Sequence, residues 1–247
     1  MHTPSDDLPL APLLPPPDDP TYELLHTRDY AVQVYRVGKR ELLARGAVRD
    51  LKPGGLYLPN DPVPLPVHHM VVELRVEFPS LTITSATVEF RVYPEQPCPT
   101  IVRHYESLAG LSIARGFTHK GRDLFGGPRG CTHTTALLQA MAPAVVQSTF
   151  SMQWQRIRDG EVDPAGSRRE GLTKEQRRSF FQTNINTCHV WDEDGDLVAS
   201  LEAGRPPEVP VFVRLRYAER GLDPETWRGS RPTSETNGNT SEPNAAT

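Results

Sequence analysis

Two adjoining segments of alternating apolar and polar residues constrain the fold of this chain most. Residues 70–78 (MVVELRVEF) and 81–92 (LTITSATVEFRV) are rich in β-branched and aromatic residues, and only Pro79 and Ser80 lie between them. A separation this short is typical of neighbouring strands joined by a tight turn. The pattern therefore predicts an antiparallel hairpin and argues against a doubly wound parallel sheet.

A second pair of segments, nearer the N-terminus, predicts another hairpin. Residues 29–37 (DYAVQVYRV) alternate, Gly38 and Lys39 suit a turn, and residues 41–49 (ELLARGAVR) return. Residues 50–67 follow with five prolines and two glycines, a density that is typical of a long loop with extended pieces.

Helical patterns open the second half of the chain. Residues 100–110 space apolar side chains at helical intervals, and residues 131–150 form the longest helical segment, which Pro143 is expected to kink. Residues 116–130 between them are rich in glycine, so we expect a loop there.

Two later segments have patterns that favour strands. Residues 186–202 are typical of a hairpin around Glu193, Asp194 and Gly195, and residues 211–217 (VFVRLRY) of a last strand. The expected order is strands, then helices, then strands. This order predicts an α+β fold with a mainly antiparallel sheet and two or three helices.

Composition predicts that both ends of the chain are tails. The chain has 247 residues, of which 18 are glycine and 25 proline, and only 37% are hydrophobic. Residues 1–20 are acidic and rich in proline, whereas residues 229–247 are polar and of low complexity. Such segments bury too little apolar surface to fold. We therefore expect disordered tails on either side of a single α+β domain over residues 21–228.

Charge and hydropathy argue against several classes of protein. No apolar run approaches the roughly 18 residues of a membrane span. The net charge of −4 argues against a nucleic-acid binder with a broad basic face. Because no basic patch and apolar stretch mark a secretory signal, the three cysteines are interpreted as cytosolic thiols or metal ligands. We expect a cytoplasmic protein without membrane or nucleic-acid partners, and the interpretation leaves an unidentified protein partner open.

Cysteine and histidine residues stand at the ends of predicted elements, where side chains can converge on a site. Cysteine thiolates and imidazoles are the preferred ligands of zinc and of iron–sulfur centres. We therefore predict a zinc or iron site, or an iron–sulfur cluster. Four protein ligands would make it structural, and three would leave an open position for catalysis. The candidate ligands are His68, Cys98, Cys131, His133 and Cys188.

Cys131 is also a candidate nucleophile. It opens a predicted helix, where unpaired N–H groups and the helix dipole lower a thiol pKa. An enzyme would use it on a small acyl or thiol substrate, with His133 or His68 as the base. Cys131 and His133 can reach one site only if Cys131 lies at or before the N-cap. A third interpretation is a binding module whose cysteines are only buried in its core.

Four motifs resemble domain-of-unknown-function family 2889 over roughly residues 28–200. These are V-x-D-x-K with Asp50 and Lys52, V-H-x-M before a strand, P-x-x-x-C at Cys98, and G-G-x-x-G-C-T-H at the start of a helix. The family usually has an acid after the histidine of the second motif, where this chain has His69. The resemblance implies a fold related to that of the family. Because the family has no established activity, the resemblance does not indicate a function.

The order of the candidate ligands is similar, more weakly, to that of the NifU/IscU-type iron–sulfur scaffolds. The resemblance implies a metal held between Cys98, Cys131 and His68 or His69, with the histidine replacing a cysteine. The metal-binding interpretation comes first and the thiol-dependent enzyme second.

Overall fold

Four consecutive strands form one antiparallel sheet in the order β1-β2-β3-β4. The strands are β1 (Thr27–Gly38), β2 (Glu41–Lys52), β3 (Leu65–Glu77) and β4 (Thr82–Val92). Both predicted hairpins are confirmed, since β1 pairs with β2 and β3 with β4, and β2 also pairs with β3. The predicted loop is shorter than expected, because β2 continues to Lys52 and β3 begins at Leu65.

The computed structural model describes residues 14–114, 116–161, 171–182, 184–205 and 208–228. The internal contacts of the chain divide it into two compact units, residues 1–149 and 150–247, which are described separately below. Most of the predicted tails, residues 1–13 and 229–247, lie outside the described residues.

One face of the sheet forms the core of the first unit. Every second residue of a strand points to the same face, and on β2 this face holds Leu42, Ala44 and Val48. A Cβ on Gly46, in the same series, would lie 2.6 Å from Sδ of Met141. The backbone at Gly46 therefore packs closely against the side chain of Met141. The core includes Met70, Val72, Leu74, Val76, Ile83, Leu137, Leu138, Met141 and Val145.

The helices of the first unit follow the sheet in the chain. They are a 3₁₀ helix over Cys98–Leu108, α1 (Phe117–Phe125), a 3₁₀ turn over Gly127–Arg129, and α2 (Thr132–Arg158), which continues into the second unit. The expectation of a loop over 116–130 was wrong. Its glycines lie mainly outside α1, and α1 buries Phe117, Gly121 and Phe125 at intervals of four residues.

The second unit contains α3 (Lys174–Ser179), α4 (Asp196–Glu202) and α5 (Val211–Glu219), with 3₁₀ turns at His189–Trp191 and Pro224–Arg228. The hairpin expected over 186–202 was wrong. Residues Val198 and Leu201 have helical spacing and pack with Phe181 in a small buried cluster.

The strand expected over 211–217 was also wrong, because this segment is helix α5. Its alternating pattern does not match its burial, since Val213 is buried whereas Val211, Phe212 and Leu215 are exposed. The described residues therefore contain five α-helices, more than the two or three expected. The α+β class with an antiparallel sheet is confirmed. Within the described ranges, no helix has the length and apolar character needed to cross a membrane.

Candidate functional site

A buried carboxylate lies at the centre of the candidate site. Asp50 continues the core-facing series of β2, and its side chain is only 1% exposed. An ionised carboxylate is costly to bury unless other groups pair with it. Arg28, directly opposite on β1, donates from Nε to Oδ1 at 2.6 Å and from Nη2 to Oδ2 at 2.7 Å. This bidentate ion pair balances the charge of Asp50.

Two histidines approach the same oxygen of Asp50. Nδ1 of His68, opposite Asp50 on β3, and Nε2 of His133, in the first turn of α2, each lie 3.1 Å from Oδ2. The two imidazole rings stack with their centroids 3.9 Å apart. A third histidine, His26, lies 3.5 Å from Oδ1. Strand register and the start of α2 thus bring β2, β3 and a helix to one point.

The surrounding groups set the protonation of the centre. The Arg28 hydrogen bonds hold the pKa of Asp50 at about 2. Burial lowers the pKa of His133, and the neighbouring His68 lowers it further. Because an ionised carboxylate can only accept hydrogen bonds, the two ring nitrogens that face it carry the protons. The other nitrogen of His133, Nδ1, then has a free lone pair.

Asp50, His68 and His133 form the one group of potential metal ligands found among the residues that the structure describes. One ligand atom from each lies within 4.8 Å of the others. The group contains two of the residues that the sequence analysis proposed as ligands, His68 and His133, and it adds an aspartate.

Cys131 lies beside His133, with Sγ 3.7 Å from Nδ1. Helix α2 begins at Thr132, so Cys131 stands before its first residue, as a shared site with His133 requires. The buried Tyr105 fixes the backbone of Cys131, since its hydroxyl accepts from Cys131 N–H at 2.7 Å. A Cβ on Gly130 would lie 2.5 Å from the carbonyl oxygen of Phe125, so the chain needs glycine directly before Cys131.

A cleft of about 470 Å³ opens beside these groups. His68, His133 and Cys131 line it, as does Cys98, whereas Asp50 does not. The other lining residues are Met70, Phe90, Pro94, Glu95, Pro97, Thr100, Ile101, Pro128, Gly130 and Thr132.

The remaining candidates are not part of this group of ligands. Cys188 is exposed in the second unit, directly before the turn His189–Trp191. His69 lines a separate shallow groove with Arg45 and Arg91. Of the two neighbouring histidines, therefore, His68 is the one in the site.

The sequence analysis missed Asp50 and Arg28 as parts of the site, although it noted Asp50 in a motif. One signal was present: Asp50 continues the series Leu42, Ala44 and Val48, so an acid occupied the buried face of a predicted strand. Arg28 stands outside the predicted strand 29–37, and only the observed register pairs it with Asp50.

Residues 26–147 match the model of a family described as "Protein of unknown function (DUF2889)". The matched segment includes Asp50 and its partners described above, His26, Arg28, His68 and His133. The resemblance found in the sequence is thereby confirmed over this segment, which ends well before the expected limit near residue 200. No curated protein and no solved structure matches the chain, and the resemblance to the iron–sulfur scaffolds is not supported.

Proposed function

We propose that this member of domain-of-unknown-function family 2889 binds a zinc or iron ion through Asp50, His68 and His133. One observation carries the proposal. Two ring nitrogens converge on a single oxygen of a buried carboxylate, each at 3.1 Å, beside an open cleft.

The spacing of these atoms suits a metal ion. Zinc lies about 2.0–2.2 Å from nitrogen and oxygen ligands, so neighbouring ligand atoms of one ion are about 3.0–3.4 Å apart. The two nitrogen–oxygen distances of 3.1 Å fall in this range. An ion can therefore replace the two ring protons with little movement of the side chains.

The chemistry of the donors favours zinc or ferrous iron. Two histidines with one carboxylate occur as ligands in catalytic zinc sites and in non-haem iron sites, which keep open coordination positions. Arg28 donates hydrogen bonds to both oxygens of Asp50 and would orient this ligand. Cys131 faces Nδ1 of His133, the nitrogen opposite the one at Asp50, so it is not assigned as a ligand of this ion and the fourth position stays open. An iron–sulfur cluster needs several thiolates, and the group around Asp50 has none.

Metal content tests the proposal. We expect wild-type protein, purified without a tag or chelator, to contain close to one zinc or iron ion per chain. Asp50→Asn, His68→Ala and His133→Ala should each lose most of it, because each removes a ligand. His119→Ala is the matched control, since His119 is 83% exposed and pairs only with Asp123 among the contacts described.

Two results of this experiment would contradict the proposal. One is a trace of metal in the wild type, and the other is full metal content in all three ligand variants. Circular dichroism of each variant separates loss of the site from loss of the fold.

A second candidate function is a thiol-dependent enzyme, and the contact between Cys131 and His133 favours it. Sγ of Cys131 faces Nδ1 of His133 at 3.7 Å, and Nε2 of the same ring faces Asp50. A nucleophile, a base and a carboxylate that orients the base are thus arranged in sequence. The thiol proton would pass to Nδ1, and the thiolate would attack the carbonyl carbon of a small acyl ester or thioester. The bond from that carbon to the alcohol or thiol of the substrate would then break, and the departing group would take the proton from Nδ1. Water, deprotonated by Nδ1, would attack the resulting thioester, release a carboxylic acid and return the proton to the sulfur of Cys131.

The two functions need different tautomers of His133. The enzyme needs a lone pair on Nδ1, whereas a metal ligand needs one on Nε2. An acylation burst with 4-nitrophenyl acetate tests the enzyme. It should disappear in Cys131→Ser and persist in the matched controls Cys98→Ser and Cys188→Ser. A burst of equal size in Cys131→Ser would contradict this candidate.

A further inference from the structure

We infer that the cleft beside the metal ligands binds a small carboxylate with an apolar body, whose carboxylate group coordinates the ion. This inference rests on the proposed metal site and adds the chemical class of its ligand. Three features of the cleft carry it: the direction in which the centre opens, the balance of charge, and the apolar wall.

The centre opens toward the cleft. His68 and His133 are 22% and 16% exposed, whereas Asp50 is 1% exposed. The two histidines line the cleft, and Asp50 lies behind them, paired with Arg28. A coordination position that the protein leaves open therefore faces the cleft.

The net positive charge of the metal-loaded centre would favour binding of an anion. Arg28 already balances the one negative charge of Asp50, and metal-bound histidines are neutral. A divalent ion would thus leave two uncompensated positive charges. Among the residues that the structure describes, no lysine or arginine lines the cleft, and the one acid that does, Glu95, is exposed. The ion itself would be the attraction for an anion, and carboxylate oxygen is an accepted ligand of zinc.

The wall beside the centre suits an apolar body. The cleft of about 470 Å³ lies within the usual range for small-molecule sites, which combine apolar walls with a few placed polar groups. The apolar lining residues are Met70, Phe90, Pro94, Pro97, Ile101 and Pro128. A short chain or ring that extends from the carboxylate would lie against these side chains and remove apolar surface from water.

Calorimetric titration of zinc-loaded wild-type protein tests this inference with three probes. Hexanoate has both features, acetate lacks the apolar body, and hexan-1-ol lacks the charge. We expect hexanoate to bind at least tenfold more tightly than acetate, because each buried methylene contributes about 0.8 kcal/mol. We also expect zinc-loaded protein to bind hexan-1-ol at least tenfold more weakly than hexanoate. Metal-free protein should bind hexanoate at least tenfold more weakly than zinc-loaded protein does.

A variant of the wall separates the cleft from the metal. Ile101→Gln puts a polar group of similar size in the lining, so it should keep its zinc and weaken hexanoate about tenfold while acetate is unchanged. Glu106→Gln is the control, because Glu106 is exposed on the same 3₁₀ helix and does not line the cleft.

Each contrary outcome overturns a stated part of the inference. Equal binding of acetate and hexanoate would overturn the role of the wall, and equal binding of hexan-1-ol would overturn the role of charge. Equal binding of hexanoate without zinc would overturn coordination by the ion. Metal content is measured first, so a protein that takes up no zinc is recognised as a failure of the proposed function, which overturns this inference as well.

Discussion

Asp50 shows at the scale of one residue how this fold stabilises a buried charge. Its two oxygens lie within 3.1 Å of Arg28, His68 and His133, and its side chain has almost no contact with water. Such a carboxylate is stable only with its partners present, because an unpaired buried charge costs several kcal/mol. Loss of any partner therefore affects both the stability and the proposed ligand set.

The pKa of Asp50 predicts acid sensitivity. The folded pKa is about 2, against an ordinary value of 3.8. Because the folded value is the lower one, the stabilisation is fully present above about pH 4 and is lost as the pH falls toward about 2. The loss amounts to about 2 kcal/mol. Urea unfolding of metal-free protein at pH 5 and pH 2.5 measures it. The variant Asp50→Asn has no titrating group at this position, so its free energy of unfolding should fall less between pH 5 and pH 2.5. Equal falls in the two proteins would contradict the assignment.

Tyr105 positions Cys131, and removal of its hydroxyl tests this role. Tyr105→Phe leaves the N–H of Cys131 without its 2.7 Å acceptor. We expect the free energy of unfolding to fall by about 1–3 kcal/mol. Tyr35→Phe is the control, because Tyr35 is exposed and its hydroxyl donates to the exposed Gln33. A fall no larger than that of the control would show that the contact does not hold Cys131 in place.

At the scale of elements, the strands could be predicted from sequence and several helices could not. In β2 and β3 the alternation in sequence coincides with alternation in burial, so local pattern and packing agree. In α5 the same alternation occurs, yet only Val213 is buried. The choice between helix and strand depends on contacts with residues outside the segment, and a local pattern carries no information on these contacts.

The same limit applies to the site. His68 and His133 were predicted because they stand at the ends of elements, and Cys131 because it opens a helix. The convergence of both histidines on Asp50 depends on the β2–β3 register and on where α2 begins, which are properties of packing. The motif around Asp50 marked the residue, although it did not indicate which residues contact it.

The contact between β2 and α2 at Gly46 predicts a coupled pair of substitutions. A methyl group at Gly46 would overlap the buried Met141 side chain, so Gly46→Ala should destabilise the fold by about 1–3 kcal/mol. Met141→Ala should cost about 2–5 kcal/mol through the cavity that it leaves. In the double variant the new methyl group enters this space, so its loss should be smaller than the sum. Additive losses in denaturant unfolding would contradict the close contact.

At the scale of the whole molecule, the composition predicts a folded part between two tails. Residues 14–20 are exposed throughout, and the interpretation of residues 1–13 and 229–247 as disordered stays a prediction from sequence, as does the single domain over 21–228. Deletion of residues 1–20 and 231–247 should leave the midpoint of thermal unfolding unchanged, because these segments offer few apolar side chains to bury. A fall of many degrees would show that a tail packs on the folded part.

Anomalous scattering from crystals of the full chain grown with zinc would locate an ion held by Asp50, His68 and His133. We expect one anomalous peak at the zinc edge, within about 2.0–2.2 Å of Asp50 Oδ2, His68 Nδ1 and His133 Nε2, facing the cleft. Zinc bound only at other residues, or the absence of any peak in crystals of zinc-soaked protein, would contradict it.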